Sequence, residues 1–201
     1  LQALTFQQKR KTMKTGMHQR CLRIVCLTLC GHTAAALSIE GGTAMSLSLK
    51  SPAFVHLNEA PQEYTCDGTD VSPALSWVDV PAQAKSLVLI VDDPDAPDPA
   101  APKMIWVHWL LYNIPPSVSG LAENVAPKDL PQGTLEGKND WKQTGYRGPC
   151  PPIGRHRYFF KLYALDVELP DLHQPDKARL EKAMSGHILD QAELIGTYQR
   201  K

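Results

Sequence analysis

Three short apolar runs dominate the hydropathy pattern of the chain. Ser86 to Val91 (Ser-Leu-Val-Leu-Ile-Val) is unbroken and rich in β-branched residues, the pattern of a buried strand. Met104 to Ile114 is a second run, with aromatic or aliphatic residues on both faces, and Tyr158 to Val167 is a third. Leu47 to Phe54 and Glu193 to Tyr198 are read as the first and last strands. Pro- and Gly-rich connections separate them, drawing on the 17 prolines of the chain. Strands at irregular spacing joined by such turns predict a mainly β protein built as a sandwich rather than a parallel sheet.

One helix interrupts the pattern. Pro175-Asp176 opens a stretch in which Ala178, Leu180, Ala183 and Met184 supply an apolar stripe, and Gly186 is a natural stop. The segment from Asn113 to Pro152 reads as one long loop. Connections of that length inside a compact domain are uncommon and often functional. Trp141, Tyr146 and a dense Gly-Pro cluster predict that it folds onto the body.

Composition divides the chain. Residues 1–23 carry Lys9, Arg10, Lys11, Lys14, Arg20 and Arg23 and no acidic residue. Met13 to Ala36 resembles a secretory signal, with basic residues, the apolar run Ile24 to Leu29 and the small residues Ala34 to Ala36. Arg23 abuts a run that is very short, however, far below the roughly 20 apolar residues of a membrane helix. The preferred reading takes residues 1–44 as an unstructured leader, tag or upstream translation. The folded domain is then 45–201, opening at Met45, in a cytoplasmic protein with no integral membrane segment. A signal peptide would instead make it periplasmic or secreted.

Charge and cysteine content narrow the classes. With 21 basic and 21 acidic residues, the chain has no global field to steer it to nucleic acid or an anionic membrane. Five cysteines are too few for a disulfide-dense scaffold. A Cys66–Cys150 bridge stays open, since sequence does not supply its geometry. His18, Cys21, Cys26, Cys30 and His32 match no common zinc spacing, and neither a metal nor a cofactor is expected.

Candidate chemistry sits where the runs begin and end. Asp92-Asp93-Pro94-Asp95-Ala96-Pro97 follows a buried strand, and its prolines hold Asp93 and Ala96 out of helical geometry. Carboxylates two residues apart in an extended segment project to one side, so Asp93 and Asp95 are expected together. His108 lies inside an apolar run and needs buried hydrogen-bond partners. Gly148-Pro149-Cys150-Pro151-Pro152 leads to His156, Tyr158 and Phe160, which alternate onto one face with Arg155 and Arg157 on the other. Each piece has a plainer explanation: an acidic turn, a core histidine, an edge strand. Together they place two carboxylates, two imidazoles and a phenol at loop–strand junctions, where binding groups tend to sit.

These motifs, in this order, resemble the phosphatidylethanolamine-binding family. The carriers are Asp93-Pro94-Asp95-Ala96-Pro97, then Trp106-Val107-His108-Trp109 through Asn113-Ile114-Pro115, then Gly148-Pro149-Cys150-Pro151-Pro152 with His156-Arg157-Tyr158. Tyr64 to Trp77 and Gly186 to Tyr198 fit as well, and the likeness is greatest to the bacterial and archaeal Raf-kinase-inhibitor-like branch. The resemblance spans about residues 45–201. It implies a two-sheet antiparallel β-sandwich with one or two short helices. It also implies a small anion pocket lined by Asp93, Asp95, His108, Gly148, His156 and Tyr158, with Pro97 and Pro152 shaping the rim.

The implied ligand is phosphate or a zwitterionic head group such as phosphoethanolamine. His108 and His156 would face the phosphate, while the two carboxylates favour an ammonium. A homodimer is implied by the branch. The C-terminal helix that covers the pocket in eukaryotic members has no counterpart, so a more open mouth is expected, and kinase inhibition does not follow from the family name. Binding rather than catalysis is expected. Inhibition of a protein partner (kinase or protease) through the pocket mouth and the 113–152 loop is the alternative. A metal-dependent hydrolase using the two Asp and two His is a weaker one. No Gly-x-Ser-x-Gly elbow suggests a serine nucleophile.

Overall fold

The computed structural model describes residues 45–201, and the readings made on residues 1–44 lie outside them. In chain order the strands are β1 (Ser48–Lys50), β2 (Leu75–Val78), β3 (Ser86–Asp93), β4 (Trp106–Ile114), β5 (Gly120–Leu121), β6 (Leu135–Glu136), β7 (His156–Leu165) and β8 (Ile188–Tyr198). Helix α1 (Lys177–Met184) lies between the last two. β1, β2 and β5 form one sheet and β6-β4-β3-β7-β8 the other, all pairs antiparallel.

The five-stranded sheet is buried on both faces at its centre. Every residue of β3 is buried. Leu87, Leu89 and Val91 pack with Leu49, Trp77 and Leu121 of the smaller sheet, forming the sandwich core. Val88 and Ile90 point the other way, against Leu180 and Met184 of α1 and against Leu169 and Leu172. That is why the run is apolar without alternation. Each such fully buried side chain contributes about 1.5–3 kcal/mol before entropy is counted. The same periodicity carries Asp92 to the helix face. There its wholly buried carboxylate accepts from Lys161 Nζ at 2.8 Å and Lys177 Nζ at 2.7 Å.

Where boundaries differ from expectation, a local cause is visible. The first strand stops at Lys50 rather than Phe54: Ser51 Oγ bonds Ala74 O, and Ala53 N turns back onto Ser51 Oγ. β7 starts at His156, two residues early, because His156 pairs with Tyr198. α1 begins after Asp176, whose carboxylate caps Arg179 N at 2.9 Å. The 113–152 segment is largely irregular, as read, but carries β5 and β6.

β4 carries an irregularity at its N-terminal end. Val91 pairs with Trp109 but Asp92 pairs with Val107, so His108 is an extra residue, a β-bulge. His108 and Trp109 therefore both leave the face that Val107 and Leu110 occupy. Among the described residues, no helix is long and apolar enough to cross a membrane.

Candidate functional site

The C-terminal end of β3 and the N-terminal ends of β4 and β7 meet at one edge of the sandwich. A cavity of about 400 Å³ opens there. Asp93, Trp106, His108 and His156 give its polar wall, and Ala96, Pro97, Met104, Trp141, Cys150 and Pro152 the rest. Trp141 stands edge-on to both Trp106 (5.4 Å between ring centres) and His108 (5.2 Å). The indole and imidazole rings thus form one aromatic side of the cavity, and Met104 and Trp141 are its partly exposed apolar residues.

His108 is pinned from one side only. Its Nδ1 lies 2.6 Å from the Arg147 carbonyl, and Arg147 N–H returns a bond to the His108 carbonyl at 3.2 Å. A carbonyl only accepts, so Nδ1 carries the hydrogen. Nε2 is buried and has no protein partner. Burial holds the imidazole below its usual range, opposed by the Arg147 carbonyl and by Asp93. Near neutral pH the group is an uncharged ring with a free lone pair.

His156 has both nitrogens committed. Nδ1 is 2.7 Å from Asp93 Oδ2 and Nε2 is 3.0 Å from the Ile153 carbonyl. Both partners are acceptors, so the ring and the carboxylate hold two protons between them. The pair is neutral overall, wherever the shared proton rests. Asp93 Oδ1 accepts Asp95 N–H at 2.8 Å, closing the turn after β3.

Of the eight residues singled out by sequence, Asp93, Pro97, His108, Pro152 and His156 line the cavity. Asp95, Gly148 and Tyr158 do not. The turn that Asp93 caps swings the Asp95 carboxylate away, onto Arg157 Nε at 2.9 Å, Arg157 Nη2 at 2.7 Å and Arg157 N at 2.9 Å. The two carboxylates therefore do not act together, which corrects the expectation of a shared side. Gly148 stands behind the wall: its N–H donates to Asp70 Oδ1 at 2.6 Å, and a Cβ there would lie 2.2 Å from the Tyr64 carbonyl.

Tyr158 backs His108 edge-on at 5.2 Å. Its hydroxyl is buried, and burial keeps it well above the usual phenol range against an opposing backbone contact from Cys150, so it stays neutral. His156 donates into the protein rather than into the cavity, a second correction. The Trp106, Trp141 and Met104 walls were missed as site residues. Trp106 and Met104 stood in the predicted run, and Trp141 in the predicted loop.

The wall bearing Cys150 is tied down. Cys66 and Cys150, open as a pair on sequence alone, form a disulfide with Cα atoms 5.4 Å apart. Cys66 N–H bonds the Pro149 carbonyl at 3.0 Å, and Tyr146 Oη bonds the Tyr64 carbonyl at 2.9 Å. Among the described residues, no group of three or more His, Cys, Asp or Glu side chains is placed to hold a metal ion.

Comparison with known proteins places this geometry. Residues 50–199 match the family model described as phosphatidylethanolamine-binding protein. A UPF0098 protein of Methanothermobacter thermautotrophicus is 51% identical over 155 residues, 77% of this chain and 99% of the relative. The crystal structure of a phosphatidylethanolamine-binding protein homolog from Chlamydia trachomatis superposes with a TM-score of 0.71 at 45% identity, covering 78% of this chain and 99% of that one. Escherichia coli YbcL, described as a member of the mammalian family, gives 0.70 at 30% identity, covering 78% and 100%.

Proposed function

Because the chain belongs to the phosphatidylethanolamine-binding protein family, we propose that its cavity binds a small anionic or zwitterionic head group of the phosphate or phosphoethanolamine kind. The observation that carries this reading is His108 Nε2, buried on the cavity wall with no protein partner. Buried polar atoms are rarely left unpaired, and a ligand oxygen is the natural complement. As a lone pair, Nε2 accepts a hydrogen carried on that oxygen, and the Trp106 indole N–H on the same wall is a buried donor without a protein partner.

An ammonium on the ligand is not required by the charges. Asp95 is neutralised by Arg157 and Asp93 by His156, so neither opposes an anion unaided. The apolar mouth of Met104, Trp106 and Trp141 suits whatever carries the head group. Calorimetry with phosphoethanolamine tests the reading. His108→Ala should weaken binding at least about tenfold, the scale of losing one buried hydrogen bond to a charged group. Unchanged binding in that variant would remove the assignment.

We infer binding without turnover. Both Asp93 oxygens are hydrogen-bonded and the Cys150 sulfur is in a disulfide, which leaves no free nucleophile on the wall from these groups. The hydrolase alternative is disfavoured for the same reason, since Asp95 and His156 have their polar atoms committed within the protein. Release of phosphate from phosphoethanolamine on prolonged incubation would reverse this. A second reading, inhibition of a protein partner, draws on the exposed apolar residues Met104 and Trp141 of the cavity and on Ile153, exposed next to the lining residue Pro152. It is distinguished by Ile153→Asp, which would abolish inhibition and leave head-group binding intact.

A further inference from the structure

The cavity has no standing positive charge. His108 is uncharged near neutral pH, and the His156–Asp93 pair sums to zero. The nearby guanidiniums are engaged elsewhere, Arg157 on Asp95 and Arg147 on Asp70. A dianion entering between Pro97, Met104, Trp106 and Trp141 would lose water and meet no compensating charge, which is costly in an apolar site. A hydrogen shared with the ligand removes that conflict, and His108 Nε2 is the free lone pair on the wall able to take it.

Resting on the anion-binding reading, we propose that the cavity takes up one proton with each phosphate monoester it binds. The proton lies between His108 Nε2 and a ligand oxygen. No bond between heavy atoms forms or breaks. The proton comes from solvent, or arrives on the ligand as its hydroxyl, and leaves with it.

The surroundings of His108 favour this. On β3, Asp93 and Asp92 favour an imidazolium at His108, as does Asp70 from the loop packed on Arg147, each muted by its own partner: His156 for Asp93, Lys161 and Lys177 for Asp92, and Arg147 for Asp70. On β7, His156 is neutral in combination with Asp93, and the Tyr158 phenol does not ionise. The Arg147 carbonyl keeps the first hydrogen on Nδ1, so the second has Nε2 as its place. Burial opposes the charge in the empty cavity, and an anion at Nε2 removes that opposition. The preferred ligand is therefore one whose oxygen can share a hydrogen, a monoester rather than a diester.

The test uses the whole protein and ethyl phosphate, which has no ammonium to donate in place of the proton. Above about pH 7 it is a dianion without a hydrogen, since a phosphate monoester loses its second proton near pH 6. Calorimetry in two buffers of different ionisation enthalpy, at about pH 8, should report uptake of close to one proton per ligand bound. Affinity should fall about tenfold per pH unit from about pH 7 to about pH 9. In His108→Gln, checked for its fold by circular dichroism, uptake at about pH 8 should vanish. Tight binding with no proton exchange in the wild-type protein would overturn this inference alone. So would uptake that persists in His108→Gln, because another group would then be the acceptor. No binding of ethyl phosphate, inorganic phosphate or phosphoethanolamine between about pH 6 and about pH 9 would instead end the anion-binding reading and this inference with it.

Discussion

Arg157 holds the buried carboxylate of Asp95 through both its guanidinium and its own backbone N–H, with distances of 2.7–2.9 Å. The two residues come from different motifs and brace the turn that carries Asp93 to the cavity. Arg157 side-chain hydrogen bonding is the main cause that keeps Asp95 below the usual carboxylate range. A carboxylate depressed in the folded state contributes stability above its unfolded pKa of about 3.9, and loses it as pH falls through the folded value.

Arg157→Leu should therefore cost about 1–3 kcal/mol at neutral pH, the range for stranding a buried charged acceptor. The guanidinium is half exposed, which keeps the figure below that of a fully buried pair. Urea unfolding at about pH 7 and about pH 3 checks both parts, because the variant's deficit should shrink in acid.

His108 gives the second pH dependence of the empty protein. Burial depresses its folded pKa below the unfolded value, so the stability it confers is complete above about pH 6.5 and is lost as pH falls toward the folded value. The thermal midpoint of the wild-type protein should drop between about pH 7 and about pH 5. His108→Gln should flatten that limb. Saturating phosphate should also flatten it, since a bound anion offsets the charge. Scanning calorimetry with and without ligand distinguishes the two.

Gly148 is required for close approach of two loops rather than for a turn. Gly148→Ala would place a methyl 2.2 Å from the Tyr64 carbonyl oxygen and 2.8 Å from the Thr65 Cα, both backbone atoms that a rotamer change does not move. The expected cost is about 1–3 kcal/mol. Head-group affinity should fall too, because the displaced loop carries the Arg147 carbonyl that orients His108. Denaturant midpoints and calorimetric titration of the same variant measure both.

Much of this arrangement was legible in the sequence, and the failures have physical causes. The long strands β3, β4 and β7 and helix α1 announce themselves as apolar runs or stripes with clear stops, whereas β8 is legible only from Glu193, because its first half, Ile188 to Ala192, is largely exposed and owes its place to pairing with β7. β5 and β6 are two residues each and exist only through their partners, Leu75 with Leu121 and Leu111 with Glu136. No local pattern encodes them. β2 does alternate, Leu75 and Trp77 inward with Ser76 and Val78 outward, but four residues are too few to stand out.

In the site, junction placement and motif order singled out Asp93, His108 and His156. Their partners were not readable, because Arg157 meeting Asp95 and Ile153 meeting His156 depend on how the turn after β3 and the loop before β7 close. The bulge at His108 was also invisible. It is a property of register against β3, not of the run Trp106 to Ile114 itself.

The convergence of three adjacent strand ends has a consequence for motion. Asp93, His108 and His156 sit on β3 and its two immediate neighbours, at the centre of the five-stranded sheet. Fraying at β6, which pairs only with Leu111 and Tyr112, leaves their spacing untouched, and on the β8 side it is the pairing of His156 with Tyr198 that must hold, so the anchor should be among the last parts to open. Amide exchange at these strand ends should then run at the global unfolding rate, while the residues around Met104 and Trp141 exchange faster. On the proposed reading, changes in the loops at the mouth would alter which ligand is held while the three strand-borne side chains beneath keep their places.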